Sequence, residues 1–481
     1  MRTVSVRTGL LVALALVAVA SFASTSANAA FTAPWTVKCT GDSITGRGAS
    51  FQNAAQLAFI EFWRTNTSAP STAGCGPAAS QTITYEPLGS GSGRAAFGAG
   101  AADRDPVVRY TAFDEAPTPT QRTQMEAAQG TTGLGKLAVA PIATGATTVI
   151  SHFPRYCELP AGDPDLAPYA RFKISNARLE NAWTGDAAND EWGEMLPGIQ
   201  AIPNNAGGKT TQQCQDEIIK RVVRFDSSGT TFSFKQFLGG IDGATGWAGA
   251  FAGTTWPNPA NVLNGGAAGN GPLAAKVRAT PGSIGYSDLA TARDNAFKKV
   301  ADNVAGLDPA QYKYDDGNFV APYFTYTFTY SFNKRLFWIP LEQANAGGPT
   351  GSGVYSEPTN DPAAIRLNRK GANCAGVTYA NVPLTAGGTP DVFGDWSLTN
   401  GTLALNKYPL CTITYVGFWD DYFDVYGNVG NEQAMARTVK DYITTSTFSG
   451  QNLLYANDYT PLPTDLRTAS RAAIQGMQWN K

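Results

Sequence analysis

The sequence contains a single histidine, His152, among its 481 residues. A Ser-His-Asp triad would have to use this residue, and zinc sites built from histidines are nearly excluded. His152 lies in a strand-like apolar run, and no nucleophile near it has the sequence context of an elbow, so we interpret it as structural. We therefore expect no catalytic residue, no metal site and no cofactor.

The sequence also lacks a surplus of charge of either sign. Its 36 Lys and Arg stand against 38 Asp and Glu, which gives a formal net charge of -2. A chain with this balance has no overall field that would attract nucleic acid or anionic lipid. Nucleic acid is therefore not expected as a partner, and any anion site must be built locally from a few placed donors.

An apolar run of the kind that targets a chain for export occurs at the N-terminus. Residues 10–20 are apolar without interruption, Arg2 and Arg7 precede them, and the small residues 27–29 follow. This order is typical of a secretory signal peptide, and the run is too short to span a bilayer. We predict a signal peptide over residues 1–30, no membrane span in the mature chain, and a secreted location, in the periplasm or at the cell exterior.

The cysteines include no C-x-x-C pair. An even number of cysteines behind a signal peptide indicates disulfides rather than a metal or redox site. Several pairings are open, and we favour pairing in sequence order because each bond then joins one local region. The six cysteines are Cys39, Cys75, Cys157, Cys214, Cys374 and Cys411.

Apolar periodicity alternates between strand and helix patterns along most of the chain. Alternation of this kind predicts α/β lobes. Helices are predicted at 52–63, 95–102, 178–183, 231–238, 432–445 and 464–479, and strands at 82–88, 137–150 (as two apolar runs) and 218–225.

Residues 339–407 differ from the rest of the chain. They are rich in Gly, Pro, Asn and Thr and carry few helix signals. Just before them, residues 324–332 alternate aromatic residues with Thr or Ser, which predicts a strand with one aromatic face. We favour packing of this face on its own lobe, and the alternative is a platform for a saccharide or protein partner.

Three segments share one design, a Gly/Ser-rich loop that opens a helix. They are residues 48–51, 89–93 and 227–230. The first turn of a helix has unpaired N–H groups and the positive end of the helix dipole, and small residues allow an anion to approach them. A single loop of this type is usually only a helix cap, so the prediction of an anion site requires that the three loops converge.

Charged residues stand beside these loops. Arg224 and Asp226 are two positions apart at the end of a predicted strand, where side chains at this spacing point to the same side. Asp226 can therefore hold the guanidinium of Arg224 while that guanidinium binds an oxyanion. The alternative is a surface ion pair between the two residues. Asp114 and Glu115 offer a carboxylate, which accepts a hydrogen bond from a protonated anion such as phosphate and repels sulfate.

These motifs resemble those of the phosphate-binding component of phosphate ABC transporters, the PstS-like group of periplasmic binding proteins. Residues 48–51 match the family's G-A-[TS]-F, and residues 85–93 match its Y-x-x-x-G-S-[SG]-x-G. Residues 224–234 match R-x-D-x-S-G-T-[ST]-x-x-F, the most specific of the three. The resemblance covers most of 41–300 and 405–481.

The resemblance implies a two-lobed α/β fold, type II-like, with two hinge crossovers and inorganic phosphate held between the lobes. Lobe 1 is expected to comprise residues 31–143 and 408–481, and lobe 2 residues 144–407 with the insertion at 339–407. The implied function is non-enzymatic phosphate capture for uptake through an ABC-transporter permease, and we expect a monomer. The alternative is a secreted binding or adhesion protein on the same fold that recognises another anion, a saccharide or a protein.

The resemblance also assigns the ligand contacts by motif. Asp226 is expected to brace the arginine, and Phe51 to act through its backbone N–H. Glu115 remains a second candidate for the acceptor carboxylate, because Ala112 and Phe113 stand where the family usually has a small residue and a glycine. The implied phosphate-binding residues are Ser50, Phe51, Ser90, Asp114, Arg224, Asp226, Ser228, Gly229 and Thr230.

Overall fold

The structure is a computed structural model. The predicted signal peptide at 1–30 and the aromatic strand at 324–332 lie outside the residues that it describes. The described residues are 35–66, 74–77, 79–101, 104–128, 135–167, 171–184, 190–241, 256, 263–295, 297, 336–345, 348–360, 371–401 and 407–480.

Strands and helices alternate along the described chain, as the sequence patterns predict. The strands are β1 (Ile44–Gly48), β2 (Ile83–Glu86), β3 (Val108–Phe113), β4 (Leu137–His152), β5 (Cys157–Glu158), β6 (Leu166–Ala167), β7 (Arg171–Phe172), β8 (Gln200–Ala201), β9 (Lys220–Arg224), β10 (Leu263–Ala267), β11 (Ser283–Asp288), β12 (Leu336–Trp338), β13 (Leu341–Asn345), β14 (Gly348–Ser356), β15 (Tyr379–Ala380), β16 (Asn400–Gly401), β17 (Cys411–Trp419) and β18 (Tyr459–Thr460). The α-helices are α1 (Asn53–Thr65), α2 (Ser90–Ala96), α3 (Pro119–Ala127), α4 (Asn176–Thr184), α5 (Trp192–Met195), α6 (Thr211–Gln215), α7 (Gly229–Leu238), α8 (Asn270–Ala279), α9 (Leu289–Asp294), α10 (Tyr422–Tyr426), α11 (Glu432–Thr447) and α12 (Thr464–Gly476).

One large sheet forms the middle of the molecule. Its strand order is β10-β9-β11-β4-β17-β3-β1-β2, and β12 and β18 also pair with β4. The pairs at the two ends of the sheet are parallel, whereas β4 pairs antiparallel with both β11 and β17. A helix follows each of the parallel strands β2, β9 and β10, so helix N-termini gather at the carboxyl ends of these strands.

The long strand β4 passes from one hydrophobic core to the other. Its residues from Leu137 to Ala146 pair with β17, and those from Thr147 to His152 pair with β11. The side chains of Val139 and Ala143 lie in one core, whereas Val149 and Ile150 lie in the other. Since β17 runs beside β4 across the same boundary, two crossover strands connect the cores.

We call the two parts of the molecule around these cores lobe 1 and lobe 2. Each core is rich in aromatic side chains that are almost fully buried. The core of lobe 1 includes Phe59, Trp63, Tyr110, Phe113, Trp419, Tyr442 and Trp479. The core of lobe 2 includes Phe172, Trp183, Trp192, Phe234, Leu273, Tyr286 and Trp338. The exact residue limits of the lobes stay a prediction.

Each of the predicted helices and strands overlaps an element of the same type, and two of the predictions were wrong in detail. The predicted helix at 95–102 begins earlier, at Ser90, so the Gly/Ser loop itself forms the first turn of α2. The two apolar runs at 137–150 form one continuous strand, β4. A bulge beside Pro141, where the register shifts opposite Tyr415, accommodates the missing N–H of the proline.

The described part of the insertion at 339–407 contacts both cores. Its strands form two short antiparallel pairs, β13 with β14 and β15 with β16. Val392 and Trp396 lie in the core of lobe 1, whereas Cys374 and Val377 lie in the core of lobe 2. The insertion therefore packs along the two lobes.

The predicted disulfide pairing in sequence order is confirmed. Each bond joins nearby parts of the chain, as expected, with Cα–Cα distances of 5.5 to 5.8 Å. The third bond connects the insertion to the first residue of β17. The bonds are Cys39–Cys75, Cys157–Cys214 and Cys374–Cys411.

Within the described ranges, every helix is too short or too polar to cross a bilayer.

Candidate anion-binding site

The three Gly/Ser-rich loops converge where the lobes meet. The hydroxyl of Ser50 in lobe 1 accepts a hydrogen bond of 3.2 Å from Arg224 in lobe 2. In the second loop, the backbone N–H of Gly91 donates to the carbonyl of Ser227 at 3.0 Å. The sequence predicted the loops, and the structure adds the contacts between them.

Arg224 lies at the end of β9, and its guanidinium is fixed on two sides. Its side chain is 1% exposed, so the alternative of a surface ion pair is wrong. Asp226 accepts from both Nε, at 2.5 Å, and Nη2. Nη1 donates to the side-chain carbonyl of Asn270 at 2.6 Å and to Ser50. Asp226 therefore braces the arginine, as the resemblance implies.

Three serine hydroxyls of the site accept hydrogen bonds from N–H groups. Ser90 accepts from the backbone of Asp114 at 3.0 Å, and Ser228 caps α7 by accepting from Thr231 at 3.2 Å. Ser50 accepts from Arg224 and also from the backbone of Asn270, at 3.3 Å. A hydroxyl has one donor and two acceptor positions, so each of these serines keeps its hydrogen for donation to an anion.

Asp114 follows β3 and supplies an acceptor beside these donors. Thr414 on β17 donates to its Oδ1 at 2.8 Å, and Thr230 on α7 lies 3.5 Å from its Oδ2. The carboxyl is 5% exposed, and burial raises its pKa to about 7 although both threonines oppose this shift. Near neutral pH this carboxyl can therefore gain or lose a proton.

The neighbouring carboxylate, Glu115, is occupied by an ion pair. Arg94 on α2 donates to its side chain and to its backbone carbonyl, both at 2.8 Å. Burial raises the pKa of Glu115, and the positive charge of Arg94 opposes that shift. The same arginine reaches the hydroxyl of Ser227 at 3.4 Å, so this pair lies along the contact between the lobes.

Glycine is required at two positions where the lobes approach each other closely. A Cβ atom on Gly229 would lie 2.6 Å from the Cβ of Asp114 and from the hydroxyl of Ser90. Gly89 has a φ of +96°, and a Cβ atom there would lie 2.7 Å from Asp226. A side chain at either position would therefore hold the lobes apart.

The side chain of Phe51 belongs to the core of lobe 1. Its ring packs edge-on against Tyr459, with 6.0 Å between the centroids, and the hydroxyl of Tyr459 donates to its carbonyl. The residue lies in a short 3-10 turn that leads into α1. With the ring buried, the backbone is the part of Phe51 that can face a ligand.

The sequence motifs did not indicate three further residues of this cluster, Asn270, Asp288 and Thr414. Asn270, the first residue of α8, lies between Arg224, Thr230 and Asp288. Thr414 contacts Asp114 from β17. Asn270 has a signal in the sequence, because Gly269 precedes a helix as the glycines of the three predicted loops do. Thr414 has no comparable local signal.

The parts of the chain that the structure describes contain no cluster of three or more His, Cys, Asp or Glu side chains arranged to hold a metal ion. His152 is buried at the end of β4, and its Nδ1 is 2.9 Å from the carbonyl of Arg278. This bond fits the structural role predicted for the histidine.

Known proteins provide an independent comparison. A family model described as a PBP superfamily domain, for periplasmic binding proteins, matches residues 34–336. No curated protein matches the sequence.

Several solved structures share the fold. A human phosphate-binding apolipoprotein is similar with a TM-score of 0.52 and 20% identity, over 89% of this chain and 93% of that chain. A DING protein has a TM-score of 0.51 and 20% identity over the same shares of the two chains. The predicted α/β periplasmic-binding-protein fold is thus confirmed. Because the family model spans more than half of the sequence, this chain belongs to the PBP superfamily.

Proposed function

We propose that this protein is a secreted, non-enzymatic solute-binding protein that captures inorganic phosphate between its two lobes. The observation that carries the proposal is the set of donors around one acceptor carboxylate. Arg224 and the hydroxyls of Ser50, Ser90 and Ser228 offer donors from both lobes. Asp114 stands among them with threonines on both of its oxygens.

This combination suits a tetrahedral anion that carries a proton. The donors neutralise the oxygens of the anion, and helix N-termini add backbone N–H groups. An ionised Asp114 accepts a hydrogen bond from the P–OH group of phosphate, whereas sulfate has no such hydrogen near neutral pH. Because Glu115 is paired with Arg94, we assign the acceptor role to Asp114. Gly229, Thr230 and the backbone of Phe51 complete the proposed site.

The arrangement of the hydroxyls supports binding without chemistry. Each of the three serines receives a hydrogen bond from an N–H group, whereas a nucleophilic serine needs a base that accepts its proton. A closed cleft with donors on both lobes favours capture by hinge closure.

Export and transport complete the proposal. The three disulfides fit an oxidising compartment outside the cytoplasm, and the predicted signal peptide directs the chain there. Phosphate binding is named for the human apolipoprotein that shares the fold. We propose that the mature protein acts as a monomer and delivers phosphate to an ABC-transporter permease.

Calorimetric titration of the ligand-stripped mature protein with phosphate, and then with sulfate, tests the function. We expect tight binding of phosphate and no heat from sulfate. Arg224→Ala removes charge-assisted bonds and leaves Asp226 unpaired, so it should weaken phosphate binding by at least about 100-fold.

A matched control separates this effect from general damage. Arg293 forms another buried ion pair, in which its Nε lies 2.9 Å from Oδ2 of Asp458. Arg293→Ala should lower thermal stability and leave phosphate affinity unchanged. A wild-type protein that gives no phosphate heat, or an Arg224→Ala variant of normal affinity, would refute the proposed function.

A further inference from the structure

Asn270 is completely buried directly behind the anion site, at the start of α8. Its side chain touches groups on three other elements. The carbonyl oxygen accepts from Arg224 at 2.6 Å, and the amide nitrogen donates to Asp288 at 2.8 Å and to Thr230 at 3.3 Å. One uncharged side chain thus connects Arg224 to the hydroxyl of Thr230 and to the buried carboxylate of Asp288.

Asp288 sets the direction of this amide. It is the N-cap of α9, and its Oδ1 accepts from the backbone of Thr291 at 2.8 Å. Its Oδ2 faces Asn270, and an ionised carboxylate can only accept hydrogen bonds. The amide nitrogen of Asn270 must therefore face Asp288, which leaves the carbonyl oxygen for Arg224.

This orientation completes the restraint on the arginine. Asp226 holds one edge of the guanidinium, while Asn270 holds Nη1. A free arginine side chain loses rotamer entropy when it grips a ligand. Restraint on two sides removes most of that loss before the ligand arrives.

The same amide acts on the acceptor side of the site. By donating to Thr230, Asn270 occupies a lone pair of that hydroxyl and leaves its hydrogen to point towards Asp114. The direction of the arginine and that of the threonine are thus set by one side chain.

We propose that Asn270, held by Asp288, is a positioning residue of the phosphate site that orients Arg224 and Thr230 for the ligand. The inference rests on the proposed function, because phosphate affinity is its readout. Asn270 lies behind Arg224 and is not proposed to touch phosphate through its side chain.

A double-mutant cycle with calorimetry tests the positioning role. Asn270→Ala should weaken phosphate binding by about 10- to 100-fold in the wild-type background, the effect of a lost bond to a charged group. In an Arg224→Lys background the guanidinium that Asn270 restrains is absent, so the same change should cost at least about threefold less, the remaining loss coming from the bond to Thr230. Equal losses in the two backgrounds would overturn the proposal.

A structural control accompanies the cycle. Asn205 fixes a loop of lobe 2 through bonds to Ile202 and Lys209. Asn205→Ala should lower the melting temperature and leave phosphate affinity within about twofold of wild type. If it weakens binding as much as Asn270→Ala does, general destabilisation explains both and the proposal fails.

The sign of the effect at Asp288 gives a second test. Removing a negative charge near an anion site strengthens anion binding if charge alone matters. The proposal predicts the opposite, a loss of about tenfold in phosphate affinity for Asp288→Ala. Asp421 is an N-cap of α10 with the same kind of bonds, and Asp421→Ala should change stability alone.

Unchanged or stronger phosphate binding in Asp288→Ala would overturn the role of Asp288. These outcomes differ from a failure of the proposed function, in which the wild-type protein itself gives no heat with phosphate.

Discussion

Gly229 lies so close to Asp114 that a Cβ atom on Gly229 would come within 2.6 Å of the Cβ of Asp114. The two residues belong to different lobes, since Gly229 begins α7 and Asp114 follows β3. Side chains do not approach to this distance, so the closed arrangement of the site depends on the absence of a side chain at position 229.

Gly229→Ala is therefore expected to oppose closure. The collision should cost about 1–3 kcal/mol and weaken phosphate binding by about 10- to 100-fold. The fold of lobe 2 should be unaffected, because alanine suits a helix better than glycine does. Gly271→Ala is the matched control, since its Cβ would have no atom within 4 Å. Calorimetry and small-angle scattering check this, and normal affinity in Gly229→Ala would contradict it.

Asp114→Asn is expected to admit sulfate. The amide of asparagine can donate to an anion oxygen where the carboxylate repels it, so sulfate affinity at pH 8 should rise at least about 100-fold. Titrating the variant with both anions measures the change. Glu115→Gln, which alters the carboxylate bound to Arg94, should leave the preference for phosphate intact. Sulfate binding by Glu115→Gln alone would show that the acceptor is misassigned.

The ligand-free protein should become less stable, relative to Asp114→Asn, as the pH rises from about 4 to about 8. The pKa of Asp114 is 3.8 when exposed and about 7 in the fold, so the folded state binds more protons between these values. The stability contributed by this protonation is present below pH 4 and is lost as the pH passes 7. At about 1.4 kcal/mol per pKa unit the difference is a few kcal/mol.

Melting temperatures of both ligand-free proteins at pH 5, 6, 7 and 8 test this prediction. With each step in pH, the melting temperature of the variant should rise relative to that of the wild type. Burial raises the pKa of Asp288 to about 6, but Asp288 is present in both proteins and its titration cancels from the difference. A difference in melting temperature that stays constant would contradict the prediction.

Replacing Cys374 and Cys411 by alanine should lower the free energy of unfolding by about 2–4 kcal/mol. The bond closes a loop of 37 residues and ties the insertion to β17. Cys39–Cys75 closes a loop of 36 residues, so its removal is a control of similar chain entropy. Denaturant unfolding measures both, and a cost near zero for the first pair would show that the insertion is held by its packing alone.

The sequence predicted those parts of the site that depend on local chemistry. A strand, a Gly/Ser loop and a helix follow one another within about a dozen residues, and each has its own periodicity or turn signal. The brace between Arg224 and Asp226 was predicted from their spacing of two residues, although β9 ends at Arg224 and Asp226 lies in the bend that follows it.

Other parts depend on contacts between distant segments. Thr414 meets Asp114 only because β17 pairs with β3, 300 positions along the chain. The sequence predicted two apolar runs at 137–150, whereas β4 is continuous because a bulge accommodates Pro141 within it. The ion pair between Arg94 and Glu115, on which the proposed assignment of Asp114 rests, likewise has no signal in the spacing of the sequence.

The passage of β4 through both cores has a consequence for folding. Leu137 to Ala143 and Ala146 to Ile150 are successive parts of one strand, so neither core can lose its share of β4 without disturbing the ladder that supports the other. The lobes should then unfold together, in one cooperative transition, although each has its own core. The strand pair that we propose as the hinge thereby prevents either lobe from existing as an independent folding unit.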